Sequence, residues 1–142
     1  MSILKDILYK VPIEAVNGST EITIGKIDFD SRKMEQNDVF VAIRGTISDG
    51  HDFIGKAIEL GAKAIVCESI PKNIVEGITY VQVKDTNMAL AILAANYFDN
   101  PSQKLQLVGV TGTNGKTTIA SLLYQLYKKA GHKVGLLSTV KI

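Results

Sequence analysis

Apolar residues along this chain recur either at three- and four-residue spacings or in short continuous runs. Their alternation predicts an α/β protein. Ile3, Leu4, Ile7 and Leu8 share a helical face, so residues 3–9 read as a short helix that ends before Pro12. From residue 22 to 29 the chain alternates, with Ile22, Ile24 and Lys26 set against Thr23, Gly25 and Ile27, which predicts one strand of weak register. Asp30-Ser31-Arg32 reads as a polar turn after it. Residues 38–43 form a buried strand, and residues 44–52 carry the turn chemistry of Gly45, Asp49 and Gly50. Phe53, Ile54, Ala57 and Ile58 line the apolar face of a helix, with Gly61 in the C′ position. Residues 63–67 and 79–83 are strands on either side of a loop over 71–77. Asp85 or Thr86 caps a helix over residues 87–98, whose apolar side chains almost encircle it, as in a helix packed on more than one side.

A polar, proline-containing stretch, residues 99–103, marks a domain boundary. Residues 1–100 thus form a small N-terminal α/β domain. Beyond the boundary, residues 105–110 are an apolar strand with β-branched valines, and Ile119, Leu122, Leu123, Leu126, Tyr127 and Ala130 form one face of a helix. A second strand is expected over residues 133–140. Two parallel strands and one crossover helix leave apolar faces and sheet edges uncovered. Residues 104–142 therefore read as the incomplete start of a second domain, and the chain as part of a longer protein.

Composition narrows the class. With 46% apolar residues the 142-residue chain can build a core, and it has no 18-residue apolar run to span a membrane. The N-terminus lacks a basic segment followed by a long apolar one, so no secretory leader is expected. The single cysteine, Cys67, lies in a buried apolar run, reads as a core residue and is compatible with the cytoplasm. The net charge of +2 is unevenly spread. Residues 104–142 hold six lysines and no Asp or Glu, which leaves ten basic and fourteen acidic residues for the first 103. The lysines are scattered and no aromatic platform accompanies them, which argues against a nucleic-acid partner. His51, in the turn before a helix, reads as a local hydrogen-bonding residue, and His132 as a helix-end residue favoured by the dipole; no metal cluster surrounds either.

The most informative stretch is Gly112, Thr113, Asn114, Gly115, Lys116, Thr117 and Thr118, placed between a strand and a helix. Backbone N–H groups of such a loop and the positive end of the helix dipole hold a phosphate, and Lys116 adds a full charge. A hydroxyl directly after the lysine, Thr117, suits Mg²⁺. The general spacing is not met, since Val110 stands where the first glycine of a P-loop is expected.

The string Gly-Thr-Asn-Gly-Lys-Thr-Thr resembles the ATP loop of the Mur ligases, which build the peptide of the bacterial cell-wall precursor. The resemblance extends upstream through Asp30-Ser31-Arg32, Asp38-Val39-Phe40-Val41-Ala42, Gly45, Asp49-Gly50-His51-Asp52-Phe53-Ile54, Ala57 and Gly61-Ala62. It is similar to the N-terminal domain of the MurE branch, the UDP-N-acetylmuramoyl-tripeptide synthetases. The MurF branch has a similar N-terminal pattern but more often carries serines between the glycines of the loop. The resemblance implies that Phe29, Ser31, Thr46, Ile47 and Ser48 meet the UDP end of the substrate. It implies that residues 112–118 hold the ATP phosphates and that Thr117 approaches Mg²⁺. The implied reaction is ATP-dependent amide formation through an acyl phosphate. A diamino acid, meso-diaminopimelate or L-lysine, is joined to UDP-N-acetylmuramoyl-L-alanyl-D-glutamate. The family's acidic metal ligands, carbamylated lysine, adenine contacts and amino-acid domain correspond to positions after Ile142, so catalytic residues are not assigned and the chain by itself is expected to be inactive. Two other readings stand beside this one: a uridine-nucleotide-sugar binding module without catalysis, and a P-loop NTPase that binds nucleic acid through its basic end.

Overall fold

A computed structural model describes residues 2–46 and 48–139. The chain divides into two units, one running to Lys104 and the other starting at Leu105.

The first unit is built on a five-stranded sheet. Its strands are β2 (Ile13–Asn17), β4 (Ile27–Asp28), β5 (Val39–Val41), β6 (Ala64–Cys67) and β7 (Thr79–Val83), in the order β2-β7-β6-β5-β4. The four neighbours β4 to β7 are parallel, and β2 closes one edge antiparallel to β7. A separate two-stranded ribbon pairs β1 (Ser2–Ile3) with β3 (Thr23–Ile24).

The pleat sorts the apolar runs onto two faces. Val39, Val41, Ala64, Val66, Val81 and Val83 point to one side and join Leu4, Ile7, Ala89 and Leu93 from α1 (Leu4–Ile7) and α3 (Thr86–Tyr97). Phe40, Ala42, Ile65, Cys67 and Tyr80 point to the other and join Ile54 and Ala57 from α2 (Ile54–Glu59). Strands covered on both faces read as continuous apolar runs, which is why β5, β6 and β7 were legible. The expected helices are present with shifted ends. Asp85 caps α3 by accepting from the N–H groups of Asn87 and Met88, and Gly61 follows α2 at φ 114°. The first helix is shorter than expected because Ile3 pairs with Thr23 in the ribbon. Asn96 of α3 donates to the carbonyls of Ile7 and Tyr9 at 2.9 and 2.7 Å and so satisfies the end of α1.

Two expectations are corrected, and one strand was not foreseen. Residues 22–29 do not form one strand, because the chain breaks at Gly25 into β3 and β4, which belong to different sheets. The Gly25 N–H bonds the Asn37 carbonyl at 2.8 Å, and a Cβ at this position would lie 2.5 Å from Oδ1 of Asp38. Strand β2 was missed because all five of its residues are exposed at a sheet edge and carry no buried run. In the second unit, α4 (Lys116–Lys129) forms as expected, but the segments on either side of it are not strands among the described residues. A strand exists only through a hydrogen-bonded neighbour, and neither segment belongs to a ladder there. Val140, within the second expected strand, lies outside the described residues. Ile119, Leu122 and Leu126 on the apolar face of α4 are 49%, 60% and 62% exposed.

Candidate substrate edge and phosphate loop

In parallel α/β sheets, ligands settle beyond the carboxyl ends of the strands. The segments that leave this edge of the first unit carry its densest polar structure. After β4, the Asp28 carboxylate accepts from the N–H groups of Phe29 and Asp30 at 2.8 and 3.0 Å, which turns the chain. Asp30 then caps a short 3₁₀ turn over Ser31–Lys33. Its carboxylate receives Nε and Nη2 of Arg32 at 2.8 and 2.9 Å and the Arg32 N–H at 3.1 Å. Phe29 is 60% exposed, whereas Ser31 beside it is 7% exposed.

The fork from Arg32 has a measurable consequence. Hydrogen bonds from its side chain, and then from its backbone N–H, pull the Asp30 carboxyl down to about 2. A depressed carboxylate stabilises the fold above its unfolded value of about 4, and that contribution is lost as the pH falls from there through about 2. In a carbon-detected NMR titration, Asp30 therefore shows the low midpoint, and Arg32→Ala returns it towards about 4. An unchanged midpoint in the variant would show that Arg32 is not the cause.

After β5, the loop is a short hairpin. Arg44 and Asp49 face each other in an antiparallel bridge, and the Gly45 N–H bonds the Ser48 carbonyl at 3.0 Å. Thr46 and Ser48 are exposed near its tip; Ile47 lies outside the described residues. Because β4 and β5 are adjacent and parallel, Phe29 and Ser31 leave the sheet at the same edge as this hairpin. The hairpin stem is held by charge. Nε of Arg44 lies 3.2 Å from Asp49 and its Nη1 lies 3.6 Å from Glu68, just beyond β6. Nδ1 of His51 lies 2.6 Å from Oδ1 of Asp49, and the Glu68 N–H donates to Nε2 at 2.9 Å. The His51 backbone N–H, and then its ring, hold the Asp49 carboxyl below its ordinary value. Glu68 in turn accepts from the N–H and hydroxyl of Thr86 at 3.2 and 3.1 Å. Gly50 completes the stem, since a Cβ there would lie 2.6 Å from both N and O of Ile43.

Sequence reasoning placed His51 in a local role and did not single out Arg44, Asp49 or Glu68 for the site. The available signal was the Asp-Gly-His string, together with a lone carboxylate directly after a buried strand. Cys67 is fully buried, and desolvation raises its thiol to about 11, which fits its reading as a core residue.

In the second unit, Gly112, Thr113, Asn114 and Gly115 form the loop that enters α4. Gly112 and Gly115 have φ of 153° and 78°, and Gly115 is the N-cap. With no side chain at Gly115 to cap the helix, the N–H groups of its first turn suit an anion. Lys116 folds over the loop, where its Nζ donates to the carbonyl of Gly112 and, at 3.3 Å, to that of Thr113. Thr117 is half-buried and Thr118 exposed. This donor set fits a polyphosphate. For Mg²⁺ the loop offers the Thr117 hydroxyl, a hard oxygen ligand of the kind that acts together with phosphate oxygens and water. Among the described residues no group of three or more His, Cys, Asp or Glu could hold a metal ion. No helix among them is long and apolar enough to cross a membrane.

Comparison with known proteins accounts for both units. The profile described as Mur ligase family, catalytic domain, matches residues 23–98, and that of the Mur ligase middle domain matches residues 110–142. The UDP-N-acetylmuramoyl-L-alanyl-D-glutamate–2,6-diaminopimelate ligase of Cytophaga hutchinsonii is 52% identical over 139 residues, which are 97% of this chain and 29% of that protein. Its counterpart in Bacteroides fragilis is 50% identical over 137 residues, 96% of this chain and 28% of that protein. The chain thus spans under a third of the length of these curated relatives. A solved 2,6-diaminopimelate ligase structure shares the fold, with a TM-score of 0.62 at 23% identity over 92% of this chain and 26% of its own. The catalytic-domain profile alone covers more than half of the chain, and on that match the chain belongs to the Mur ligase family.

Proposed function

We propose that the chain supplies the UDP-substrate end and the phosphate loop of a MurE-type ligase, which joins a diamino acid to UDP-N-acetylmuramoyl-L-alanyl-D-glutamate at the expense of ATP. The observation that carries this reading is the continuity of the similarity. Similarity at about half identity to 2,6-diaminopimelate ligases spans 97% and 96% of the chain and so takes in both the sheet edge and the phosphate loop. The names of those relatives favour diaminopimelate over lysine and the MurE over the MurF branch. The first unit carries the UDP end: Phe29 offers an exposed ring for stacking, Ser31 a hydroxyl close beside it, and Thr46 and Ser48 the opposing hairpin. Residues 112–118 hold the ATP phosphates, with Lys116 neutralising their charge and Thr117 meeting Mg²⁺. When bound, the metal supplies further charge neutralisation at the transferred phosphoryl group. The work of this chain is to position the UDP substrate and the phosphates and to keep charge balanced around them. With 16 basic and 14 acidic residues but no carboxylate in the phosphate-loop segment, acidic metal ligands must come from outside residues 104–142. The reaction belongs in the cytoplasm, where the nucleotide substrates are.

Calorimetric titration of the 142-residue chain tests this reading. UDP-N-acetylmuramoyl-L-alanyl-D-glutamate binds, and Ser31→Ala weakens it about tenfold, the worth of one hydrogen bond to a charged group. The chain alone does not form tripeptide. Binding of Mg-ATP without any binding of the UDP compound would replace this reading with the P-loop NTPase alternative.

A further inference from the structure

We infer that His51 is a positioning residue for the substrate hairpin: its ring pins the stem at Asp49 to the end of β6 at Glu68 and so sets where Thr46 and Ser48 stand. The inference rests on the proposed role of that hairpin in holding the UDP end.

The geometry makes the link directional. The Glu68 N–H needs a lone pair on Nε2, which leaves the ring proton on Nδ1 facing the Asp49 carboxylate. One neutral ring thus accepts on one side and donates on the other. Its partner Glu68 lies 17 positions from it in sequence, and its side chain is 14% exposed. The other ties on the stem are weaker or more open. Arg44 is 59% exposed and reaches Glu68 only at 3.6 Å. The bridge between Arg44 and Asp49 holds the two sides of the hairpin together but does not fix the hairpin to the sheet. Gly50 packs on the end of β5 and bonds the Ile43 carbonyl at 2.8 Å, which anchors the base. His51 supplies the anchor on the β6 side. Without it the hairpin keeps its internal bonds and loses its fixed angle over the edge.

Two amides separate the two halves of the ring's work. Asparagine at position 51 carries polar atoms near the Nδ1 position, keeps a donor for Asp49 and cannot reach Glu68. Glutamine carries them near Nε2 and keeps an acceptor for the Glu68 N–H. In the full-length ligase, H51N raises the KM for the UDP substrate about tenfold to a hundredfold, leaves the KM for ATP unchanged, and H51Q stays within about threefold of the wild type. Both are assayed at a temperature where circular dichroism shows them folded. The inference is overturned if both variants match the wild type, if both are impaired equally, if the KM for ATP moves with that for the UDP substrate, or if H51N fails to fold at any temperature. A wild-type protein that does not bind the UDP substrate at all would instead remove the functional reading on which the inference rests.

Discussion

Replacing Lys116 by alanine lowers the kcat of the full-length ligase by about 10²–10³-fold, the scale of losing one preorganised charge at a site where negative charge develops. The loop geometry makes this a test of chemistry rather than of folding. Lys116 is exposed, is the first residue of α4, and among the described residues its Nζ hydrogen-bonds only to the carbonyls of Gly112 and Thr113. Alanine is the best helix former, so α4 starts as before. Arginine at this position keeps the charge but substitutes a planar fork for a compact ammonium, and it restores little of the rate. Steady-state release of phosphate measures the effect. Activity within threefold of the wild type in Lys116→Ala would remove residues 112–118 from the phosphate site.

Asp38→Ala destabilises the first unit by about 3 kcal/mol. Its side chain is 3% exposed, and its carboxylate receives the N–H groups of Lys26 and Glu35 at 2.9 and 2.7 Å, with Nζ of Lys26 at 3.7 Å. Truncation leaves two backbone donors without their acceptor and removes the tie between the entry to β4 and the entry to β5. Asn does not rescue it fully, because its amide nitrogen meets one of the two N–H groups head-on. Gly25→Ala acts on the same spot from the other side, since the new Cβ meets an oxygen that is too buried to step away. Native-state hydrogen exchange of the Val66 and Val81 amides reads the stability of the first unit without a contribution from α4. A loss below about 1 kcal/mol would mean that water replaces the carboxylate at both donors.

The parts of this protein that local pattern controls were legible in its sequence. Ala64–Cys67 and Thr79–Val83 are apolar runs because both faces of the sheet are covered, and Asp85 caps α3 by local geometry. The glycine loop before α4 was legible for the same reason, as its turn and the helix start lie in consecutive residues. What escaped depends on partners distant in sequence. Whether residues 22–29 are one strand or two depends on Gly25 meeting Asn37 and Asp38, and β2 exists only because β7 offers it an edge. The stem of the hairpin after β5 is of this kind. His51 looked local because Asp49 is two residues away, while its second partner, Glu68, lies in another element.

The order of the sheet bears on how such a pocket can change over time. β4, β5, β6 and β7 lie side by side in chain order. All three of their connections cross the same face, where Met34, then Ile54 and Ala57, then Ile70 and Ile78 pack on Phe40, Ile65 and Tyr80. Strands laid down in one direction leave no reversal in the sheet and hence no ready-made crevice at its carboxyl edge. The carboxyl edge is therefore a ledge, and its wall is raised by the hairpin between Arg44 and Asp49. A wall that stands on four side chains and a glycine can be lengthened or reshaped by insertions at its tip without strain in the core. The fold of this unit and the shape of its carboxyl edge can thus drift on separate clocks.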